Sequence, residues 1–318
     1  MSVLPVPAGA APAGPEPAWC ADPGPLAADR LPGRVDLRDC DLRGRLIRSV
    51  WGTLARVPHG AASVSAHLLR TDGAAQLTLA LDPRRQILAI TDRFFQPGPD
   101  RDEEQGGSRN ACHDDTWSLG PAAWPRGAVI NWKFYAPGTE RRLRKGRGAA
   151  LVNAVRRAAS ASTDCTRESR FAPLPNIHQR YSGRTQAAPN ISGGSCAERD
   201  GVNSFGWVNF DDLDSEVLAV SCTWQEGHHS VEGDMALQGR KPWWTPSGKR
   251  TRASCPRGAH VIASVAVHET LHIFGLGHVE GGEHADLTMA PYIQSCDQKA
   301  ATLGRGDYLG LMELYGPR

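Results

Sequence analysis

The chain has 318 residues, of which 40% are hydrophobic and 22% are charged, so it is long enough for a substantial core and for more than one average domain. Its formal net charge is only +2, which gives no support to a nucleic-acid-binding function. No stretch approaches the ~20 consecutive apolar residues of a membrane-spanning helix, so we expect no transmembrane anchor.

The first part of the chain, residues 1–36, is a leader rich in proline, alanine and glycine. This composition cannot bury a core and predicts a flexible or extended segment. The first ten residues lack the basic start and the unbroken apolar stretch of a signal peptide. If the protein is exported, the sequence leaves the export route open.

Residues 37–95 predict a small β-rich unit. Apolar and polar residues alternate at 76–81, a turn follows, and the alternation returns at 86–91, which is typical of two paired strands. Segments 46–51 and 62–69 predict two further strands. By its position, the unit is either a removable pro-segment or an accessory domain that stays attached.

Residues 96–111 are polar and interrupted by glycine and proline, so they predict a linker and an accessible cleavage point. The remainder, residues 112–318, is the largest part. Apolar residues at helical spacing predict a helix over 147–161. Strands are predicted at four places: 129–135, 204–210, 216–223 and 231–237. This order, followed by further helical segments, indicates an α+β domain.

The cysteines form an even set of eight, spread widely and without a CxxC pair. This pattern favours disulfides over a cysteine-based metal site, and disulfides imply an oxidising, extracellular compartment. Spacing does not determine the connectivity. Two pairings are hypotheses: Cys20 with Cys40, which would staple the small β-rich unit, and Cys255 with Cys296.

Residues 268–278 spell HExxHxxGxxH without a departure. His268 and His272 are four residues apart, so on a helix both imidazoles point to one face and can bind one metal ion. Glu269 is turned by about 100° around the helix, so its carboxylate can reach a water on that metal without being a ligand. This is the arrangement expected of a general base.

Gly275 lets the chain leave the helix through a left-handed or otherwise strained turn. The turn would bring His278 back as a third ligand. Three protein ligands leave a fourth position open, as a catalytic zinc site requires. The apolar segment 259–267 precedes the motif and predicts the upstream turns of a buried helix.

With the methionine-containing segment 287–292, the motif resembles the metzincin zinc endopeptidases and, within them, the matrixins, of a bacterial secreted type. Segment 231–237 is similar to the family's strand ahead of the active-site helix, and 304–316 is similar to its closing helix. Two features differ from the family pattern. Val279 stands where matrixins usually have serine or threonine, and the PRCGxPD segment that keeps many matrixins latent is not found in this sequence.

The resemblance implies a metzincin-like catalytic domain over 112–318, with a twisted, mostly parallel sheet, an active-site helix and a C-terminal helix. It also implies one catalytic Zn²⁺ ion, with Met289 supporting the metal from below. Pro291 and Tyr292 would form part of the wall of the substrate pocket. Calcium is left open, because no cluster in the sequence matches the family's calcium loops.

The predicted function is a secreted zinc endopeptidase that hydrolyses peptide bonds in protein or peptide substrates, with Glu269 as general base. Two alternatives stay open. The first is a catalytically silent metzincin-fold binding protein, which the retained Glu269 argues against. The second is a zinc amidohydrolase that acts on cell-wall peptides, although no cell-wall binding repeat is found. The oligomeric state is left open.

Overall fold

The structure is a computed structural model that describes residues 17–60, 62–97, 110–137, 144–246 and 254–318. Residues 1–16 of the predicted leader and 98–109 of the predicted linker therefore lie outside the described residues. We call residues 17–97 the N-terminal half and residues 110–318 the C-terminal half.

The strands of the N-terminal half follow one another closely along the chain. They are β1 (Leu26–Ala27), β2 (Arg34–Asp36), β3 (Leu46–Arg48), β4 (Leu54–Arg56), β5 (Ser63–Arg70), β6 (Ala74–Asp82) and β7 (Ile87–Phe95). All four predicted strand segments contain an observed strand. Strands β5, β6 and β7 form an antiparallel meander, as the period-two alternation and short turns of this region indicate.

The C-terminal half combines strands and helices. Its strands are β8 (Val129–Tyr135), β9 (His178–Thr185), β10 (Ile191–Ser192), β11 (Ser195–Cys196), β12 (Asn203–Val208), β13 (Val217–Glu226), β14 (His229–Gln238), β15 (Trp243–Trp244) and β16 (His260–Val261). Its α-helices are α1 (Arg144–Ala159), α2 (Ile262–Ile273) and α3 (Arg305–Tyr315). Strands β9, β8, β12 and β14 are parallel, and β13 is antiparallel to β14. The predicted α+β fold with a mostly parallel sheet in residues 112–318 is confirmed.

The two halves share one nine-stranded sheet with the order β2-β7-β6-β5-β13-β14-β12-β8-β9. Strand β5 joins them, because it pairs antiparallel with β13. A smaller sheet, β1-β3-β4-β11-β10, also takes strands from both halves. The small β-rich unit predicted at 37–95 is therefore continuous with the sheet of the C-terminal half. The spacing of its strands in the sequence did not predict this pairing.

The described part of the leader differs from the prediction of a flexible segment. Within residues 17–36, β1 pairs with β3 and β2 pairs with β7. Leu26, Leu31 and Val35 are buried. These scattered apolar residues lack a clear period, but each covers part of the β-rich unit. Burial of their side chains therefore orders a segment whose composition predicted no fixed structure.

Helices α1 and α2 pack on one face of the sheet and enclose the larger apolar core, which includes Trp132, Trp207 and Leu271. Helix α1 covers most of the predicted span. Helix α2 begins later than predicted, because His260–Val261 pairs with Trp243–Trp244 as a short strand. Among the described residues, none of the helices combines the length and the apolar character that crossing a membrane requires.

All eight cysteines are paired in four disulfides. The two hypothesised pairings, Cys20–Cys40 and Cys255–Cys296, are both present. The other two are Cys112–Cys165 and Cys196–Cys222. Each disulfide therefore lies within one half of the chain, and none connects the N-terminal half to the C-terminal half.

Candidate metal centre and active site

Helix α2 carries the first part of the candidate site. Seven of its twelve residues are apolar, and the whole helix apart from Ala263 is buried. His268 and His272 stand on one face, one turn apart, and their Nε2 atoms are 3.1 Å from each other. The spacing of four residues therefore produces the convergence that the sequence predicts.

The chain leaves α2 through a left-handed turn at Gly275, whose φ is 99°. A Cβ atom there would lie 2.8 Å from the carbonyl oxygen of Ala122, so this position requires glycine for both its backbone angle and its space. The turn returns His278 to the other two histidines. Its Nε2 is 3.0 Å from that of His272 and 3.3 Å from that of His268.

These three nitrogens fit a tetrahedral zinc ion. Zn–N bonds of about 2.0–2.1 Å place neighbouring ligand nitrogens of a tetrahedron roughly 3.3 Å apart. The observed separations of 3.0–3.3 Å are close to that value. The lone pairs of three nitrogens that point at one another without hydrogens between them would repel. A cation bound between the nitrogens would remove this repulsion.

Hydrogen bonds from the other ring nitrogens orient two of these imidazoles. Nδ1 of His268 donates to the carbonyl oxygen of Thr288 at 2.7 Å, and Nδ1 of His272 donates to that of Leu276 at 2.9 Å. With the proton on Nδ1, the Nε2 lone pair is free for a metal. Burial also lowers the pKa of His268 to about 4, so the ring is neutral and able to bind metal at neutral pH.

Glu269 lies beside the histidines and is completely buried. Its Oε2 accepts a hydrogen bond of 2.5 Å from Oγ of Ser221 on β13. Its Oε1 is buried without a hydrogen-bond partner among the described residues. Burial raises the pKa of this carboxyl to about 8, although the bond from Ser221 opposes the shift. A nearby divalent cation would lower that pKa again. One carboxylate oxygen is thus held and the other is available for a proton.

Met289 is buried, and its carbonyl oxygen accepts a hydrogen bond from the backbone N–H of Val279, next to His278 in the chain. Asp307 of α3 fixes the turn at Met289. Its carboxylate accepts bonds from the backbone N–H groups of Thr288 at 2.9 Å and Met289 at 3.1 Å, and from that of Gly304 at 2.8 Å. Burial raises the pKa of Asp307 despite these bonds. Helix α3 therefore positions the methionine turn.

The two residues predicted for the substrate pocket follow this turn. Pro291 is buried and Tyr292 is partly exposed. A cavity of about 220 Å³ reaches His278, but it lies between the two halves and its lining includes Gln76, Thr78 and Phe95 rather than the predicted pair. At that cavity, residues of the N-terminal half stand beside the histidines.

The sequence analysis missed His67 at this site, as it missed Ser221 and Asp307. It lies on β5 with a relative exposure of 2%, and its ring stacks on that of His272 with 4.1 Å between centroids. Its ligand atom and those of His272 and His278 are all within 4.8 Å of one another. Burial lowers the pKa of His67 to about 3. In the sequence, one histidine in an alternating strand is indistinguishable from an ordinary core residue.

Comparison with known proteins supports a matrixin-like character for the part of the chain that carries this site. Residues 202–316 match the family described as Matrixin. Metalloendoproteinase 5-MMP of Arabidopsis thaliana is 36% identical over 85 residues, which are 26% of this chain and 22% of that protein. The chain thus spans about a fifth of the length of this relative. Residues 202–316, from β12 to the end of α3, are similar to a matrixin, and the α+β fold is consistent with a matrixin catalytic domain.

Proposed function

We propose that residues 112–318 form a zinc-dependent endopeptidase domain that hydrolyses peptide bonds in proteins. One observation carries the proposal: three histidine Nε2 atoms converge to 3.0–3.3 Å beside a buried carboxylate with one unpartnered oxygen. The similarity of residues 202–316 to matrixins and the printed name of the plant relative support it.

His268, His272 and His278 would hold the zinc ion. Zinc bound there supplies Lewis-acid chemistry, because it lowers the pKa of a water to about 7 and polarises a peptide carbonyl. The buried, metal-facing nitrogens make the set selective for a cation that accepts neutral imidazole. Met289 supports the histidines from below, through the turn that Asp307 holds.

Glu269 is the general base in this proposal. Ser221 holds Oε2, so the carboxylate cannot rotate away, and the free Oε1 takes the proton of the attacking water. The same oxygen then delivers the proton to the nitrogen of the departing amine. We place the side chains of Pro291 and Tyr292 at the substrate pocket beyond the scissile bond. Tyr292, being partly exposed, is the one able to meet substrate.

The substrates are proteins or peptides, and the site of action is extracellular. Four disulfides fit an oxidising compartment. A catalytically silent binding protein would have no use for a base beside three ligands. An amidohydrolase of cell-wall peptides would use the same groups and differ only in its substrate. An experiment is therefore needed to distinguish it from an endopeptidase.

The test compares the wild type with Glu269→Ala and with a matched control, Glu313→Ala, which removes an exposed carboxylate of α3. Zinc content is measured by atomic emission. Hydrolysis of a denatured protein, a quenched peptide library and cell-wall peptides is measured on the whole chain and on a chain cut between residues 97 and 110. We expect one zinc ion per chain in all three proteins, and a loss of hydrolysis of at least ~10²-fold in Glu269→Ala alone.

Two results would overturn the proposal. The first is a wild type without stoichiometric zinc, and the second is a Glu269→Ala protein that keeps full activity. Hydrolysis of cell-wall peptides without hydrolysis of proteins would establish the amidohydrolase instead. Stoichiometric zinc with no hydrolysis by the cut chain would establish the silent binding protein.

A further inference from the structure

Strand β13 would be the edge of the catalytic sheet if the C-terminal half stood alone. The order within that half is β9-β8-β12-β14-β13, so one side of β13 would present unpaired backbone N–H and C=O groups. An extended peptide can add to such an edge as a further strand, through backbone hydrogen bonds. Because Ser221 of β13 bonds Glu269, a peptide on this edge would pass directly beside the proposed base.

Strand β5 already occupies this position. It pairs antiparallel with β13 from Arg70 opposite Val217 to Ser63 opposite Gln225. His67 lies opposite Ser221 in this register. The side chain of β5 nearest the proposed base is therefore an imidazole, at the point where the scissile bond of an extended substrate would have to lie.

The surroundings of His67 indicate a metal-facing role. Its Nδ1 is buried and has no hydrogen-bond partner within the part of the chain that the structure describes. A buried polar atom left unpaired costs free energy, and a ligand would satisfy it. One ring nitrogen of His67 lies within 4.8 Å of ring nitrogens of His272 and His278. The Nε2 atoms of the three motif histidines are closer to one another, at 3.0–3.3 Å. His67 therefore lies beside the motif histidines, close enough to approach a metal ion that they hold.

We propose that β5 is an internal inhibitor of this site, and that His67 closes the fourth position of the bound metal against water and substrate. The proposal rests on the proposed function for its consequence, because only an active site gains from closure. In this state the chain is latent, and separation of β5 from β13 opens the metal and the sheet edge together.

The two halves hold together firmly but only by noncovalent contacts. Val64 and Leu68 of β5 share an apolar core with Val220 and Trp224 of β13, so the closed state does not open freely. No disulfide crosses between the halves. A cut between residues 97 and 110 would therefore remove the covalent link and leave β5 able to depart. This arrangement suits an inhibitor that is released once.

The main experiment uses the whole chain loaded with Co²⁺, whose visible absorption reports its ligands. Wild type, His67→Ala and the control His59→Ala, an exposed histidine of the same half, are titrated with acetohydroxamate, a small metal-binding probe. We expect His67→Ala to bind the probe at least ~100-fold more tightly than the other two, the factor for a closed state populated 99:1. Equal binding by wild type and His67→Ala would overturn the proposal.

A second measurement tests the strand. Part of residues 98–109 is replaced by the recognition sequence of a site-specific protease, and hydrolysis of a long extended peptide is compared before and after the cut. We expect the uncut chain to be at least ~100-fold slower. An uncut chain as fast as the cut chain contradicts the inhibitor. If both are inactive while the cobalt titration shows closure by His67, the peptidase proposal fails and the role of His67 stands.

Discussion

The two halves of the nine-stranded sheet are built in different ways. In the N-terminal half, β5, β6 and β7 follow one another through short turns and form an antiparallel meander. In the C-terminal half, parallel strands require crossovers. The crossover from β8 to β9 carries α1, whereas α2 follows the last strand and packs into the same apolar core. The difference matters for the candidate site, because the C-terminal half covers its sheet with helices, and one of these, α2, carries His268, Glu269 and His272.

The halves also differ in their effect on access to the three motif histidines. The C-terminal half supplies the three metal-facing histidines, and the N-terminal half covers them. The ring of His67 stacks on His272, and the ring of Phe95 lies 4.6 Å from that of His278. The motif histidines are consequently only 0–4% exposed. One half thus supplies the three histidines and the other covers them.

The largest expected effect is on the free energy of unfolding, when one disulfide is removed from either half. Replacing both members of Cys255–Cys296 by serine should cost about 4 kcal/mol, because the bond spans 41 residues, and replacing Cys20 and Cys40 should cost about 3 kcal/mol, because that bond spans 20. Denaturant unfolding under otherwise identical conditions measures both. Removal of the bond that closes the longer loop returns more conformational entropy to the unfolded chain.

The two disulfide variants should differ in function as well. Loss of Cys20–Cys40 loosens the half that covers the site, so acetohydroxamate should bind the cobalt-loaded variant more tightly than the wild type. Loss of Cys255–Cys296 loosens the half that builds the site, so metal affinity should fall instead. The opposite assignment of these effects would contradict the division of roles between the halves.

A smaller loss is expected from Asp307→Asn, which changes a contact within the C-terminal half only. The asparagine side chain turns an NH₂ group toward backbone N–H donors that the carboxylate now accepts. We expect a loss of about 2–3 kcal/mol in the free energy of unfolding, together with weaker metal binding as the methionine turn loosens. The exposed Glu313→Ala is the control, and an unchanged unfolding midpoint would contradict the positioning role of α3.

A still smaller effect is expected from Ser221→Ala, at the boundary of the two halves. Removal of the hydroxyl leaves Oε2 of Glu269 without this donor, so stability should fall by about 1 kcal/mol. Hydrolysis by the cut chain should fall less than in Glu269→Ala, because the base is retained. Ser215→Ala, at an exposed serine before β13, is the control. A loss as large as that of Glu269→Ala would mean that Ser221 does more than hold the carboxylate.

The last expected effect is a pH dependence of stability at Asp234 on β14. Burial raises its pKa well above the usual value of 3.8, while backbone N–H groups of Ser204 and Asn190 oppose the shift. The folded state therefore keeps a proton that the unfolded state has lost, so stability is largest below pH 3.8 and declines as the pH rises through the raised pKa. Asp234→Asn cannot titrate, so the wild type should lose stability relative to it as the pH rises above 3.8. The free energy of unfolding of both proteins is measured by denaturant titration at each pH. An equal change with pH in the two proteins would contradict the raised pKa of Asp234.

Much of the fold could be predicted because the signals are local. Period-two alternation located β6 and β7 within a few residues, and helical spacing located α1. The start of α2 was placed too early, because the pairing of β16 with β15 depends on residues far away in the chain. The described part of the leader was predicted to be flexible, since its few apolar residues find partners only in the folded sheet.

The sequence by itself determined the convergence of His268, His272 and His278 beside Glu269, because a separation of four residues on a helix and one glycine turn fix this geometry locally. It also indicated the α+β class and an even set of disulfides. Only the tertiary structure brought Ser221 to Glu269, Asp307 to the methionine turn, and His67 to His272. The physical reason is that these contacts join residues on different elements, whose meeting depends on strand register and sheet order rather than on any spacing along the chain.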